Sequence, residues 1–166
     1  MSPRKPLAAC VVALVLGCAF GSRAGDSPAI QVLGKGVQIY ACQATGTTFV
    51  WALQGPDAVL LSADGGVIGK HFAGPSWQAQ DGSTIVGEPL AASASPQVGS
   101  IPWLVLRVKS TTGTGLLANV AYVARTSTQG GLAPDSGCDA AHLGVEARSP
   151  YSAVYTFFPT QSGAGR

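Results

Sequence analysis

Short apolar segments that alternate with polar residues, cut at close intervals by glycine-bearing turns, constrain this chain more than any other feature. Of its 166 residues 22 are glycine and only 11% are charged. Amphipathic helices need longer runs of Ala, Leu, Glu, Lys and Arg on a 3.6-residue period. Alternation on a two-residue period is the strand signature instead. Val37, Ile39 and Ala41 share one strand face, and Gln38, Tyr40 and Cys42 the other. Residues 48–53 read as a second strand, ended by Gly55-Pro56. Residues 58–62 and 67–72 flank Ala63-Asp64-Gly65-Gly66, whose glycines supply the positive φ angles of a hairpin turn. Residues 77–79 and 84–86 flank Gln80-Asp81-Gly82-Ser83 in the same way.

Farther along, residues 91–100 read as a loop. Residues 102–109 and 116–126 form two longer strands around Thr112-Gly113-Thr114-Gly115. A second loop covers 129–137, residues 140–144 have the makings of one helical turn, and residues 151–158 close the pattern. About eight short strands joined by tight turns describe an all-β single domain, either an antiparallel sandwich or a closed barrel. Alternation alone does not separate the two.

The N-terminus has the three parts of a secretory signal. Arg4 and Lys5 precede an apolar run over residues 7–20, and Ser22-Arg23-Ala24 places small residues where a signal peptidase reads them. Crossing a membrane as a helix takes roughly 20 apolar residues, so this run implies no transmembrane segment. The expected boundaries are a signal peptide over 1–24, an N-terminal segment over 25–35, the β domain over 36–159 and a disordered tail over 160–166. Leu16-Gly17-Cys18 resembles the end of a lipoprotein signal, but Leu16 is bulky where such signals carry a small residue. Cleavage after Ala24, giving a periplasmic or extracellular protein, is therefore the expectation, and a lipid anchor on Cys18 the alternative.

Losing Arg4, Lys5 and Arg23 leaves seven basic residues against eight acidic ones, a net charge of about −1. These charges are scattered singly, with no basic stripe to follow a phosphate backbone, so nucleic acid is not an expected partner. Only Cys42 and Cys138 remain of four cysteines. Two thiols in an oxidising compartment are expected to pair. With no histidine at ligand spacing, they do not make a metal site.

Several short motifs occur in order: Gly36-Val37-Gln38-Ile39-Tyr40-Ala41-Cys42, His71-Phe72-Ala73-Gly74-Pro75-Ser76-Trp77, Asp81-Gly82-Ser83, Ile101-Pro102-Trp103-Leu104, Thr128-Gln129-Gly130-Gly131, Gly137-Cys138 and Pro150-Tyr151-Ser152-Ala153. Together they resemble DUF3455, a family of secreted bacterial and fungal proteins of unknown function, over nearly the whole mature chain. The resemblance implies a secreted single domain. It brings no activity, cofactor or catalytic residue with it.

The densest polar and aromatic stretch runs from His71 to Ser83. If its segments pair, His71 and Asp81 would approach beside Trp77, the raw material of general acid–base chemistry, with Ser83 as a nucleophile. Asp-Gly-Ser is also what a tight turn requires, and Trp is a natural filler of a β core. Exposure of Trp77 would mark binding or catalysis; burial would mark architecture. Trp51, Trp77 and Trp103, with Tyr40, Tyr122, Tyr151 and Tyr155, form a second set, able to stack on a sugar if exposed and to pack a core if not. His142 with Asp139 and Glu146 reads as a solvated turn rather than a metal set. Residues 113–118 match the dinucleotide fingerprint formally, but no helix follows to hold a pyrophosphate.

The function expected from sequence is therefore a non-enzymatic ligand- or surface-binding module, with His71, Trp77, Asp81 and Ser83 as candidate ligand-binding residues. Its partner would be a saccharide or envelope component. No catalytic residue, metal or cofactor is assigned. A small extracellular hydrolase using His71 and Asp81, and a purely structural surface protein, are the alternatives.

Overall fold

Each strand pairs with the next in sequence, and the last pairs with the first. The computed structural model describes residues 29–160. The expected signal peptide over 1–24, with Cys18, and residues 161–166 of the expected tail lie outside the described residues. Eight strands follow in order: β1 (Ile30–Thr45), β2 (Thr48–Leu61), β3 (Val67–Phe72), β4 (Ser76–Ala79), β5 (Thr84–Ser93), β6 (Trp103–Thr112), β7 (Val120–Gly130) and β8 (Glu146–Pro159). The β1–β8 ladder runs from Ile30 opposite Phe157 to Ala41 opposite Glu146 and closes the sheet into an antiparallel barrel. Between sandwich and barrel, that ladder decides for the barrel.

Strand lengths differ from the sequence expectation wherever a bulge absorbs a residue that looks like a breaker. Gly55-Pro56 does not end a strand. β2 runs through it, with Gln54 as the extra residue opposite the Ile39–Tyr40 step and Gly55 at φ 138°. Proline cannot donate to a ladder and is tolerated at such a bulge. Leu90 is likewise the extra residue in β5, so residues 91–93 are strand and not loop. Conversely, residues 116–119 are turn and not strand. The Ala118 N–H donates to the Gly115 carbonyl and the Val120 N–H to that of Leu117. β1 begins at Ile30, inside the segment expected to precede the domain. The helical turn over Ala140–His142 forms, capped by Asp139.

Alternation decides which side chains fill the barrel. Tyr151, Ala153, Tyr155 and Phe157 of β8 are buried, and Gln38, Tyr40 and Cys42 form the inward face of β1. Val32, Leu60, Ile85, Leu106 and Val123 complete an apolar interior with Trp77. Small residues make room for the rings: a Cβ on Gly34 would press into the Tyr155 ring. Leu117, in the β6–β7 turn, is fully buried at one end of this interior.

The other end carries the β1–β2 hairpin and the β7–β8 loop. Cys42 and Cys138 form a disulfide across 96 residues. Around it the Trp51 indole donates to the Ser136 carbonyl at 3.0 Å, and Cys42 exchanges backbone hydrogen bonds with Gly144 and Val145. The Tyr40 hydroxyl donates to the Gly131 carbonyl at 2.7 Å. Closing so long a loop stabilises by about 4–5 kcal/mol through unfolded-chain entropy. Both thiols should therefore resist alkylation until reduced, as read by intact mass, and reduction should lower the melting temperature. Free alkylation without reductant would contradict the pairing.

Candidate functional site

His71 and Trp77 are direct cross-strand partners on β3 and β4, both facing inward. Their rings stack at 4.4 Å with planes 3° apart. The His71 Nδ1 lies 2.8 Å from the Ser76 carbonyl oxygen. A carbonyl only accepts, so Nδ1 carries the ring proton. Burial drives the His71 pKa down to about 4, opposed by the Ser76 carbonyl and assisted by the positive charge of Arg125. The imidazole is therefore neutral at physiological pH. Trp77 is 1% exposed and His71 3%.

Asp81 and Ser83 sit elsewhere. In the β3–β4 ladder His71 lies opposite Trp77, Gly69 opposite Ala79, and Asp81 follows beyond. β4 ends at Ala79, so Asp81 lies beyond it in the β4–β5 turn, past the level of the His71–Trp77 pair. His71 and Asp81 thus hydrogen-bond to other groups and not to one another. Instead Asp81 Oδ1 accepts from the Ser83 N–H at 2.9 Å and from its hydroxyl at 2.6 Å, while Oδ2 accepts from the Leu116 N–H at 2.7 Å. The Ser83 hydroxyl in turn accepts from the Leu117 N–H at 3.1 Å. Hydrogen bonds from Ser83 first, then from Leu116, hold the Asp81 carboxyl below its usual range. This network pins the β6–β7 turn over the end of the barrel.

His71 and Trp77 belong to a larger inward cluster. Tyr155 meets His71 edge-on at 5.0 Å and Trp77 at 5.7 Å. Its hydroxyl lies 3.2 Å from that of Tyr151. Burial raises the pKa of both tyrosines. Arg125 on β7 is the cross-strand partner of Tyr155. It is half-buried, and its Nε and Nη2 both donate to the Pro102 carbonyl, at 3.2 and 2.8 Å. Gln38 packs beside Tyr151, since a Cβ on Gly131 would touch both side chains. Three buried side-chain polar atoms have no hydrogen-bond partner among the described residues, Gln38 Oε1 and Trp77 Nε1 in this interior and Trp103 Nε1 on β6.

Comparison with known proteins adds the family. The family model described as "Protein of unknown function (DUF3455)" matches residues 23–159. The chain belongs to that family. No curated protein and no solved structure matches it.

For DUF3455 the family model assigns no chemistry, so the geometry must speak for itself. Sequence reasoning singled out His71 and Trp77, and named Tyr151 and Tyr155 only among general aromatics. It missed Gln38 and Arg125. Arg125 had one legible signal, a place two residues from Val123 and hence on the same strand face. Of the other aromatics, Trp103 is half-buried and Tyr122 exposed. His142 pairs with Asp139 at 2.7 Å across the short helical turn, and no metal-ligating group of three forms among the described residues.

Two outcomes follow. Because the folded-state pKa of His71 lies below its unfolded value of about 6.5, only the unfolded chain binds that proton between pH 6.5 and 4. Stability from this residue is complete above pH 6.5 and declines by roughly 3 kcal/mol as pH falls to 4. Melting curves across that window should show the decline, and His71→Phe should flatten it; an equal slope in the variant would contradict the assignment. Ser83→Ala should cost about 1–3 kcal/mol in denaturant unfolding, because it strands the buried Leu117 N–H. A change under a few tenths of a kcal/mol would show that the turn does not depend on Ser83.

Proposed function

We propose that this domain is a non-enzymatic binding module whose ligand contacts the His71–Trp77–Tyr155 cluster from the disulfide end of the barrel. The observation that carries this reading is that two of the three buried, unpartnered polar side-chain atoms among the described residues, Gln38 Oε1 and Trp77 Nε1, belong to this interior. Leaving such atoms unpaired costs about 1–3 kcal/mol each. A bound molecule supplying one donor and one acceptor would remove that cost. Eight-stranded barrels are of the size that holds either packed side chains or one small ligand. Arg125, opposite Tyr155 in the β7–β8 ladder, is the partly exposed residue beside the cluster.

In this reading Asp81 and Ser83 position the β6–β7 turn. His71 holds the indole, with its proton committed to Ser76. The module acts after export, as a mature chain beginning at Gly25. The disulfide, and the lack of any helix among the described residues long and apolar enough to cross a membrane, are consistent with export. A saccharide or another polar envelope component is the proposed partner class.

Full burial of Trp77 favours a second reading, a purely structural domain. Gln38→Leu separates the two, because it removes the orphaned oxygen at similar volume. A thermal-shift screen of the oxidised domain against mono- and oligosaccharides and small organic acids should find a compound that raises the melting temperature saturably. Gln38→Leu should keep the ligand-free melting temperature within a few degrees and lose most of that response. No response from wild type, or an undiminished one in Gln38→Leu, would leave the structural reading in possession.

A further inference from the structure

The Arg125 side chain is positively charged, belongs to a residue of intermediate exposure, and lies opposite Tyr155 with no carboxylate paired to it. Two of its N–H groups donate to one backbone carbonyl, that of Pro102, and the guanidinium also reaches the Tyr155 hydroxyl closely enough to lower its pKa against the effect of burial. Among the described residues the ion pairs are Arg107–Glu88, His142–Asp139 and Arg148–Asp57, so Arg125 has no carboxylate of its own. The titratable groups that sense its charge are Tyr40, His71, Tyr151 and Tyr155, from β1, β3 and β8. All four are neutral near pH 7. A cation bordered by neutral rings and hydroxyls, with no carboxylate of its own, is placed to take an anionic partner.

The surroundings supply further donors. Tyr151 and Tyr155 share one hydrogen bond, so only one of their two hydroxyl protons is used within the pair. The Trp77 indole N–H is unpartnered and 1% exposed. The lone orphaned acceptor is Gln38 Oε1, on a side chain 2% exposed beside Tyr151. Donors around a cation suit an oxyanion, and the planar guanidinium fork matches a carboxylate or phosphate in two-point contact. The single acceptor calls for a hydroxyl on the same molecule.

We infer that the ligand is a hydroxylated oxyanion, carrying a carboxylate or a phosphate, and that Arg125 receives the anionic group while Gln38 accepts from a hydroxyl. This rests on the binding reading above and adds the ligand's charge to it. The ligand's anion thereby becomes the missing counter-ion of Arg125. Its ring or chain hydroxyls extend toward Gln38.

The test titrates the oxidised domain, at constant ionic strength, with glucuronate, glucose 6-phosphate and glucose, following the aromatic resonances of the cluster. At least one acid should bind ten or more times tighter than glucose, and which acid responds distinguishes carboxylate from phosphate. Arg125→Met, which keeps the apolar stem, should weaken that acid at least tenfold. Arg125→Lys, which keeps the charge without the fork, should weaken it at least threefold and serves if the Met variant does not fold. Lys70→Met, an exposed cation outside the cluster, should change nothing. Glucose binding as tightly as either acid, or affinity retained in both Arg125 variants, would overturn the anionic assignment while leaving the binding reading standing. No saturable binding by any of the three would overturn the assignment as well, and the Gln38→Leu screen would then judge the binding reading separately.

Discussion

The ladder between β1 and β8 is the interaction on which the rest of the molecule depends. It joins the first strand to the last, Ile30 opposite Phe157 through Ala41 opposite Glu146. Closure removes the free edges that an open eight-stranded sheet would present to other chains. It also turns one face of every strand into a shared interior. Tyr155 pairs with Val32, and its ring can lie across that interior only because the diagonal neighbour on β1, Gly34, has no side chain beneath it. The disulfide reinforces the same seam, since Cys42 lies on β1 just past the last ladder pair.

The interior so created is divided in character. Toward the β6–β7 turn it is apolar, with Leu60, Ile85, Leu106, Leu117 and Phe157, and the Asp81–Ser83 network holds the turn over it. Toward the disulfide it becomes polar and aromatic, with Gln38, Tyr40, His71, Tyr151 and Arg125. A sandwich-like core would be expected to be apolar throughout. Orphaned polar atoms and a cation at one end mark that end as the place where this domain departs from plain architecture.

His71 illustrates how position overrides residue type. Beside a carboxylate an imidazole is a general base; stacked on an indole and hydrogen-bonded to Ser76 it is a neutral spacer with a strongly depressed pKa. Asp81 shows the converse. Its carboxylate is ionised, and each oxygen is already occupied by the turn that it stabilises. An Asp-Gly-Ser triplet reads the same in sequence whether it builds a turn or an active site, and only the partners of its oxygens distinguish the two.

Local patterns were legible from residues alone because they depend on neighbours in the chain. Two-residue alternation and glycine turns placed the strands around residues 67–72, 77–86 and 151–158, and cysteine parity paired Cys42 with Cys138. Breakers misled where the backbone had a bulge to offer: Gly55-Pro56 interrupts a pattern without interrupting β2, because Gln54 leaves the register and the proline needs no partner for an N–H it lacks. The site was half visible. His71 and Trp77 stood out by residue type, whereas Gln38 and Arg125, a lone amide and a lone cation in alternating strands, did not. What the sequence determined by itself was the all-β class, the turns and the staple, each set by residues a few positions apart or by simple count. The tertiary structure decided closure, the inward face of each strand and the company of His71, because these depend on register between strands distant in sequence, and a two-residue period carries no register.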